Sequence, residues 1–442
     1  MRTIARFAVL SSLALFSLPA IAGGGKPTIK LGESVELIPS MQYRARYLAH
    51  SGKDFKTGHN FDAFSQRARL GLKAKLANWA TLHVQLQDVR RWGEETNTLG
   101  DFSANGFDVH QAWAQIGCAR RLALRIGRQE IAFDGHRLIG TVGWTDQARS
   151  FDALLLQGMY KSLLVKAFWA KLGEKDAYKF TTNPTTGART ASAGSPKDID
   201  LAGLWLHYKG MKMLRPSLVF IYDRNAVRDR DRMTFGLHLK GAPAKGLKFT
   251  GEFYYQAGKD GGPTGKAATR SDIGAMLASI RLGYTVKMKM KPTFEFFFDY
   301  LSGDDNTADN KVGVFDTLFA TNHKFYGFMD YFLNIPVHTG GLGLIDIGGR
   351  IKIKPMKKVL FFVDIHHFRL AKQYKSTTGT DTADSLGTEI DVVGRYKLIK
   401  YVSFEGVFGT FLTSRGMTCI KGGCRDGADN EFYGYVQADV KF

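Results

Sequence analysis

Residues 64–76 read Phe64-Ser65-Gln66-Arg67-Ala68-Arg69-Leu70-Gly71-Leu72-Lys73-Ala74-Lys75-Leu76. Even positions carry Phe64, Ala68, Leu70, Leu72, Ala74 and Leu76, with Gln66 the one polar member. Odd positions carry Ser65, Arg67, Arg69, Lys73 and Lys75. A side-chain period of two places these sets on opposite faces of one β-strand. One face is greasy and the other strongly cationic.

The same two-sided pattern returns along the chain. Met233, Phe235, Leu237 and Leu239 oppose Arg232, Thr234, His238 and Lys240. Ile345, Ile347, Ile351 and Ile353 oppose Asp346, Arg350, Lys352 and Lys354. Leu386, Ile390, Val392 and Tyr396 oppose Glu389, Asp391 and Arg395. The alternation predicts strands over 35–48, 64–77, 80–91, 108–117, 121–128, 151–160, 163–171, 200–209, 213–224, 231–241, 246–257, 272–287, 291–301, 342–354, 358–370, 386–398, 401–413 and 431–442. The gaps between them are alternately very short, as at 161–162 and 399–400, and long, as at 129–150, 172–199 and 302–341.

This arrangement points to an all-β fold: a transmembrane antiparallel β-barrel of about 18 strands, with short periplasmic turns and long extracellular loops. Hydrocarbon leaves no backbone donor a partner outside the protein, so a spanning sheet must close on itself. At this strand number the lumen is too wide for wall side chains to fill, and water can enter. The end of the chain supports the reading. Val436, Ala438, Val440 and Phe442 share one face of a last strand, and Gln437, Asp439 and Lys441 share the other. A final strand ending in Phe resembles the signal by which such barrels meet the barrel assembly machinery. Aromatic residues near predicted strand ends, among them Tyr47, Trp79, Trp92, Trp169 and Tyr255, suit interfacial girdles against the outer-membrane lipid.

Residues 1–22 read as a secretory signal peptide. Arg2 and Arg6 precede a mostly apolar run, and Ala20-Ile21-Ala22 offers a small-x-small cleavage pattern. Residues 23–442 are then the barrel, placed in the cell outer membrane. No later stretch reaches about 18 consecutive apolar residues, so no spanning helix is expected. The net charge is +20. Export argues against nucleic acid as the target of that charge and leaves other anions or lipid phosphates. Of the three cysteines, Cys419 and Cys424 could close a small loop disulfide, leaving Cys118 over.

At 125–152 the run RIGRQEIAFDGHRLIGTVGWTDQARSFD resembles the alginate export family of outer-membrane proteins. Residues 67–93, 302–331 and 364–371 (DIHHFRLA) are similar to further segments of that family. The resemblance implies an 18-stranded monomeric barrel with a constricted, arginine-rich pore, and passage of the anionic polysaccharide alginate. Arg67 and Arg69, together with Arg125 and Arg128 at the Gly-Arg-Gln motif, match the family's basic strand positions.

The candidate pore-lining and substrate-binding residues are Arg44, Arg46, Arg67, Arg69, Lys73, Arg125, Arg128, Arg350 and Arg395. Rings of Arg or Lys select anions, and the guanidinium fork matches a carboxylate. Glu252, Glu295, Asp346, Glu389, Asp391 and Glu405 share the inner face and can pair with some of these cations. The loop 302–341 could enter the lumen and set a constriction. Its Asp304, Asp305 and Asp309 suit calcium, but a solvated acidic loop explains them better; no other cofactor is implied. His366 and His367 are adjacent and point to opposite faces, so they cannot chelate together. No nucleophile and base are brought together by any motif, so no enzyme is expected. The leading function is an anion-selective channel for an acidic polysaccharide. The alternatives are a porin for small anions, and a surface adhesin or receptor whose lumen is plugged.

Overall fold

The structure is a computed structural model. It describes residues 27–52, 60–77, 79–94, 106–118, 121–174, 178–182, 189–193, 198–262, 270–376, 382–421, 423–426 and 429–442. The expected signal peptide, residues 1–22, lies outside the described residues.

Eighteen long strands wind into a closed antiparallel barrel from Val35–Ser51 to Glu431–Lys441. The last strand pairs with the first, from Gln42 opposite Lys441 to Ser51 opposite Phe432. Each strand in the predicted set is present, with ends moved by a few residues. For example, 358–370 becomes Val359–Lys375, because Tyr374 and Lys375 still pair with Ala383 and Thr382 of the next strand. Among the described residues no helix is long and apolar enough to cross a membrane.

The outward face follows from the pattern that predicts it. Leu70, Leu72, Ile126, Leu154, Phe235 and Phe253 are exposed, as befits side chains facing acyl chains rather than a core. Trp79 and Trp92 stand exposed at the two ends of Ala80–Arg91, where a girdle requires them. Inward positions behave differently from one height to another. Toward the short turns they are lysines and arginines with partial exposure. In the middle they are buried, and many are apolar: Leu155, Phe168, Leu201, Ile221, Leu277 and Phe368.

What buries them comes from two of the long connections. Segments 130–150 and 302–343 turn into the barrel instead of standing over it. Ile131, Phe133, Leu138 and Ile139 of the first join Phe315, Tyr326, Phe332 and Ile335 of the second in one core with the wall. The second segment takes the inward path that the sequence leaves open for 302–341. The inward path of 130–150 was not expected; its apolar residues, inside a presumed external loop, were the overlooked signal. The disulfide Cys419–Cys424 forms beside the short helix Arg415–Ile420, and Cys118 is a free, exposed thiol.

Candidate functional site

The two inward segments bind each other before they bind the wall. Phe319 N–H donates to Leu138 O at 2.9 Å, Gly140 N–H to Phe319 O at 2.9 Å and Thr321 N–H to His136 O at 2.9 Å. Trp144 stacks on His323 with ring centres 4.0 Å apart, and its indole N–H donates to Asp330 Oδ2 at 2.7 Å. The result is one septum built from two distant pieces of chain.

Arginines fix that septum on one side. Arg44 donates to Gly143 O at 2.9 Å, Trp144 O at 3.0 Å, Thr145 O at 3.0 Å and Asp146 Oδ1 at 3.1 Å. Arg46 donates to Trp144 O at 2.9 Å and lies over its ring. Arg67 reaches Thr145 O and Asp146 O at 3.1 Å each, and Arg69 reaches Gln147 O at 3.2 Å and Gln87 at 2.7 Å. All four guanidiniums point into the barrel as the period of two requires, yet all are buried. They hold protein carbonyls where direct contact with a solute was expected. Carbonyls carry no net charge, and Arg44, Arg46 and the partly exposed Arg91 share the single carboxylate of Asp146. The positive field of the group therefore survives its burial.

The opposite wall is held by Arg137. Its side chain is 1% exposed. It donates to Glu252 at 3.0 Å, to both oxygens of Asp299 at 3.1 and 3.2 Å, to Ser279 at 3.0 Å and to the Tyr326 hydroxyl at 2.9 Å. Burial alone would depress its basicity, but Asp299, Tyr326 and Glu252 hold it well above the ordinary arginine value. Asp134 accepts from the Trp205 indole at 2.8 Å and from Ser217 at 2.7 Å. Asp316 pairs with Arg232 at 2.7 Å. Met329 N–H donates to Glu389 at 2.8 Å, two residues after Gly327, whose φ of +82° favours glycine and whose Cα faces the Glu389 carboxylate.

These anchors give two expectations. Replacing Arg44 and Arg67 together by glutamine removes charged bonds worth about 2 kcal/mol each. Residues 143–147 should then loosen, read as noisier and larger single-channel currents. The second concerns acid. Burial would raise the Asp316 carboxyl, but Arg232 holds it below the ordinary value. Its contribution to docking is present above the unfolded value of about 3.9 and is lost as pH falls through the lower folded value. The Asp316–Arg232 pair should thus hold its segment from neutrality to about pH 4; an Asp316→Asn variant whose channel opens no sooner than the wild type on acidification below that would contradict this anchor.

The cations nearer the short turns keep partial exposure. Arg125 lies over Trp113 with 4.0 Å to the ring centre and donates twice to Gln115, at 2.9 and 3.2 Å. Lys73 faces the same indole, and Lys166 lies over Trp205 at 5.2 Å. Arg125, Lys166 and Lys240 make no salt bridge among the described residues. Along neighbouring strands the register sets Lys73 opposite His83, His83 opposite Trp113, Gln115 opposite Arg125, Gln157 opposite Lys166 and Lys166 opposite Trp205. This inner arc contains no carboxylate. Arg350 and Arg395 also face inward but are paired, Arg350 with Asp364 at 2.5 Å and Arg395 with Glu405. Arg128 corrects an expectation. It lies three residues beyond Arg125, hence on the other face with Leu124 and Ile126, and it pairs outside with Asp108 at 3.4 Å and Asp152 at 3.3 Å.

Lys166, Arg281 and Arg137 escaped the sequence reading. Lys166 and Arg281 lie on strands whose inner faces also bear Phe168, Ala170, Ile273 and Leu277, so the alternation that marks a wet lumen is blurred there. Nothing local marks Arg137, whose partners are 115 to 189 residues away. The three loop aspartates do not converge: Asp304 accepts from the backbone N–H of Asn306 and Gly313, Asp309 from that of Lys311, and Asp305 pairs with Lys372. Among the described residues no cluster of His, Cys, Asp or Glu has metal-holding geometry. His366 and His367 do part as expected, to Asp346 inside and Thr388 outside.

The model of the Alginate export family matches residues 35–412. The fold is similar to the crystal structure of OccAB4 from Acinetobacter baumannii, at 13% identity and a TM-score of 0.60, covering 91% of this chain and 97% of that one. It is also similar to OccK8 (OprE) of Pseudomonas aeruginosa, at 12% identity and a TM-score of 0.57, covering 92% and 98%. The outer membrane protein opdK of the same species aligns at 11% identity and a TM-score of 0.54, covering 93% and 99%. No curated protein matches the chain in sequence.

Proposed function

Because the chain belongs to the alginate export family of outer-membrane β-barrel porins, we propose that it is a non-enzymatic, anion-selective channel for an acidic polysaccharide such as alginate. The observation that carries this reading is the pair of partly exposed cations Arg125 and Lys166 on the inner wall, neither of which makes a salt bridge among the described residues. Partly exposed cations that no carboxylate pairs lower the energy of an anion beside them. The aromatic faces behind Arg125 and Lys166 hold these side chains toward the lumen and keep them from folding onto the wall. Gln115 occupies one edge of the Arg125 guanidinium and leaves Nη1 for a passing carboxylate. The buried arginines above add a long-range positive field but no contact surface. A chain with one carboxylate per sugar meets attraction that is repeated along its length and weak at each point, which suits passage better than capture.

Planar-bilayer recordings test the reading. Open channels with reversal potentials favouring anions are expected, and alginate oligomers should block the current while neutral oligomers do not. Cation preference would defeat it. Block by small anions alone would replace the polysaccharide with the small-anion porin.

A second reading has a specific observation behind it. The septum is tied to the wall on every side, through Arg44, Asp134, Arg137, Asp316 and Met329. A barrel closed in this way suits a surface receptor. It predicts no conductance until the septum is released. Against it stand Gly143, Gln147 and Lys324, which are exposed to solvent within the septum itself.

A further inference from the structure

The basic excess of this chain is not spread along the channel axis. Eight short turns close one end of the barrel. All but 77–79 contain a lysine or arginine, and none contains an aspartate or glutamate. The turn 286–292 carries Lys287, Lys289 and Lys291, and 357–358 is Lys357-Lys358; all five are exposed. The long loops at the other end mix both signs in near balance, as in Arg228-Asp229-Arg230 or Asp304-Asp305 with Lys311. Short turns mark the periplasmic end of such a barrel.

The charge also continues inward. Arg215, Lys240 and Lys248 stand close to the strand ends on the inward parity, and all three are exposed. Above them come Arg125 and Lys166. From the turns to the arc cations predominate, and the inward acids Glu36, Glu295 and Glu405 are each paired with a lysine or arginine.

We propose that this periplasmic collar is a capture surface for the anionic polymer, which gathers the chain at the mouth before it meets the cations of the inner arc. The inference rests on the polysaccharide reading above. Its physics is local. Fixed charge raises the concentration of a counter-ion polymer at the mouth and speeds its encounter. The field decays over about 8 Å at physiological salt, so only charge at the entrance itself can collect the chain. A mouth with balanced charge, as on the loop side, gives no such gain. Anionic lipid headgroups would also be attracted to the turns, but they do not explain exposed lysines that point into the lumen.

The test is sided block in oriented bilayers, with alginate oligomers and, separately, dextran sulfate added to one chamber. Wild-type protein should show an association rate about tenfold higher from the periplasmic side, and this advantage should shrink as salt rises. A combined variant, Lys287→Ser, Lys289→Ser, Lys291→Ser, Lys357→Ser and Lys358→Ser, should lose most of the advantage while conductance and the rate from the loop side persist. Equal rates from both sides for both polymers would overturn the collar. So would a variant that keeps its sidedness but is altered only in stability within vesicles rich in phosphatidylglycerol; the lysines would then serve lipid. Sided block by dextran sulfate without block by alginate would sink the alginate reading and leave the collar standing.

Discussion

Exchange of Arg137 for methionine is expected to open the channel and weaken the fold at once. The side chain is enclosed and satisfies two acids that have no access to water, Glu252 and Asp299. Removing one member of such a buried network strands the charge of the others and costs about 3–5 kcal/mol. Arg281, 3.0 Å from Asp299, offsets part of that loss. The remainder falls on the segment 130–150, because Arg137 is its only arginine on that wall, reaching three strands through Glu252, Ser279 and Asp299 and the septum through Tyr326. Single-channel conductance should rise several-fold, and thermal unfolding in detergent should shift downward. The triple variant Arg137→Met, Glu252→Gln, Asp299→Asn separates the two effects: it removes the stranded charges, so stability should largely return while the current stays high. Unchanged conductance in both variants would mean that the septum is held elsewhere.

The second large effect concerns selectivity. Converting Arg125 and Lys166 together to glutamate reverses two charges on the inner arc without touching an anchor of the septum. At a distance of about 8 Å in a water-filled lumen each reversal shifts the energy of a monovalent ion by roughly 1 kcal/mol before screening. The preference for anions should fall several-fold and approach parity with cations, and block by alginate oligomers should weaken in step. Conductance itself should change little. Arg128→Gln serves as the internal comparison: three residues from Arg125 but on the lipid side, it should leave the reversal potential where it is. A shift with Arg128→Gln equal to that of the double reversal would refute the assignment of faces.

The arginines divide by height in a way the linear pattern does not reveal. Arg44, Arg46, Arg67 and Arg69 stand on inward parity, as do Lys73 and Arg125, and the alternation treats them alike. The first four are buried against carbonyls at 143–147, whereas Lys73 and Arg125 retain partial exposure. Parity decides which side of a wall a residue occupies; it says nothing of what else lies on that side. The same limit explains Phe168 and Leu277. Read as strand residues they weaken the case for an aqueous lumen, and only the presence of Phe133 and Phe325 inside the barrel makes their inward placement favourable.

The barrel, its eighteen strands, its short-turn and long-loop ends and the cationic parity of its inner face are legible in the chain read residue by residue. Each of those is written in a repeat of two residues, and lipid on one face with water on the other enforces that repeat locally along every strand. Only the tertiary structure decided what fills the tube. The septum depends on contacts between residues a hundred or more positions apart, such as Arg44 with Thr145 and Arg137 with Asp299. No local period encodes such a meeting, because it arises when the closed wall brings already paired strands around two loops that carry apolar residues and cannot leave them in water.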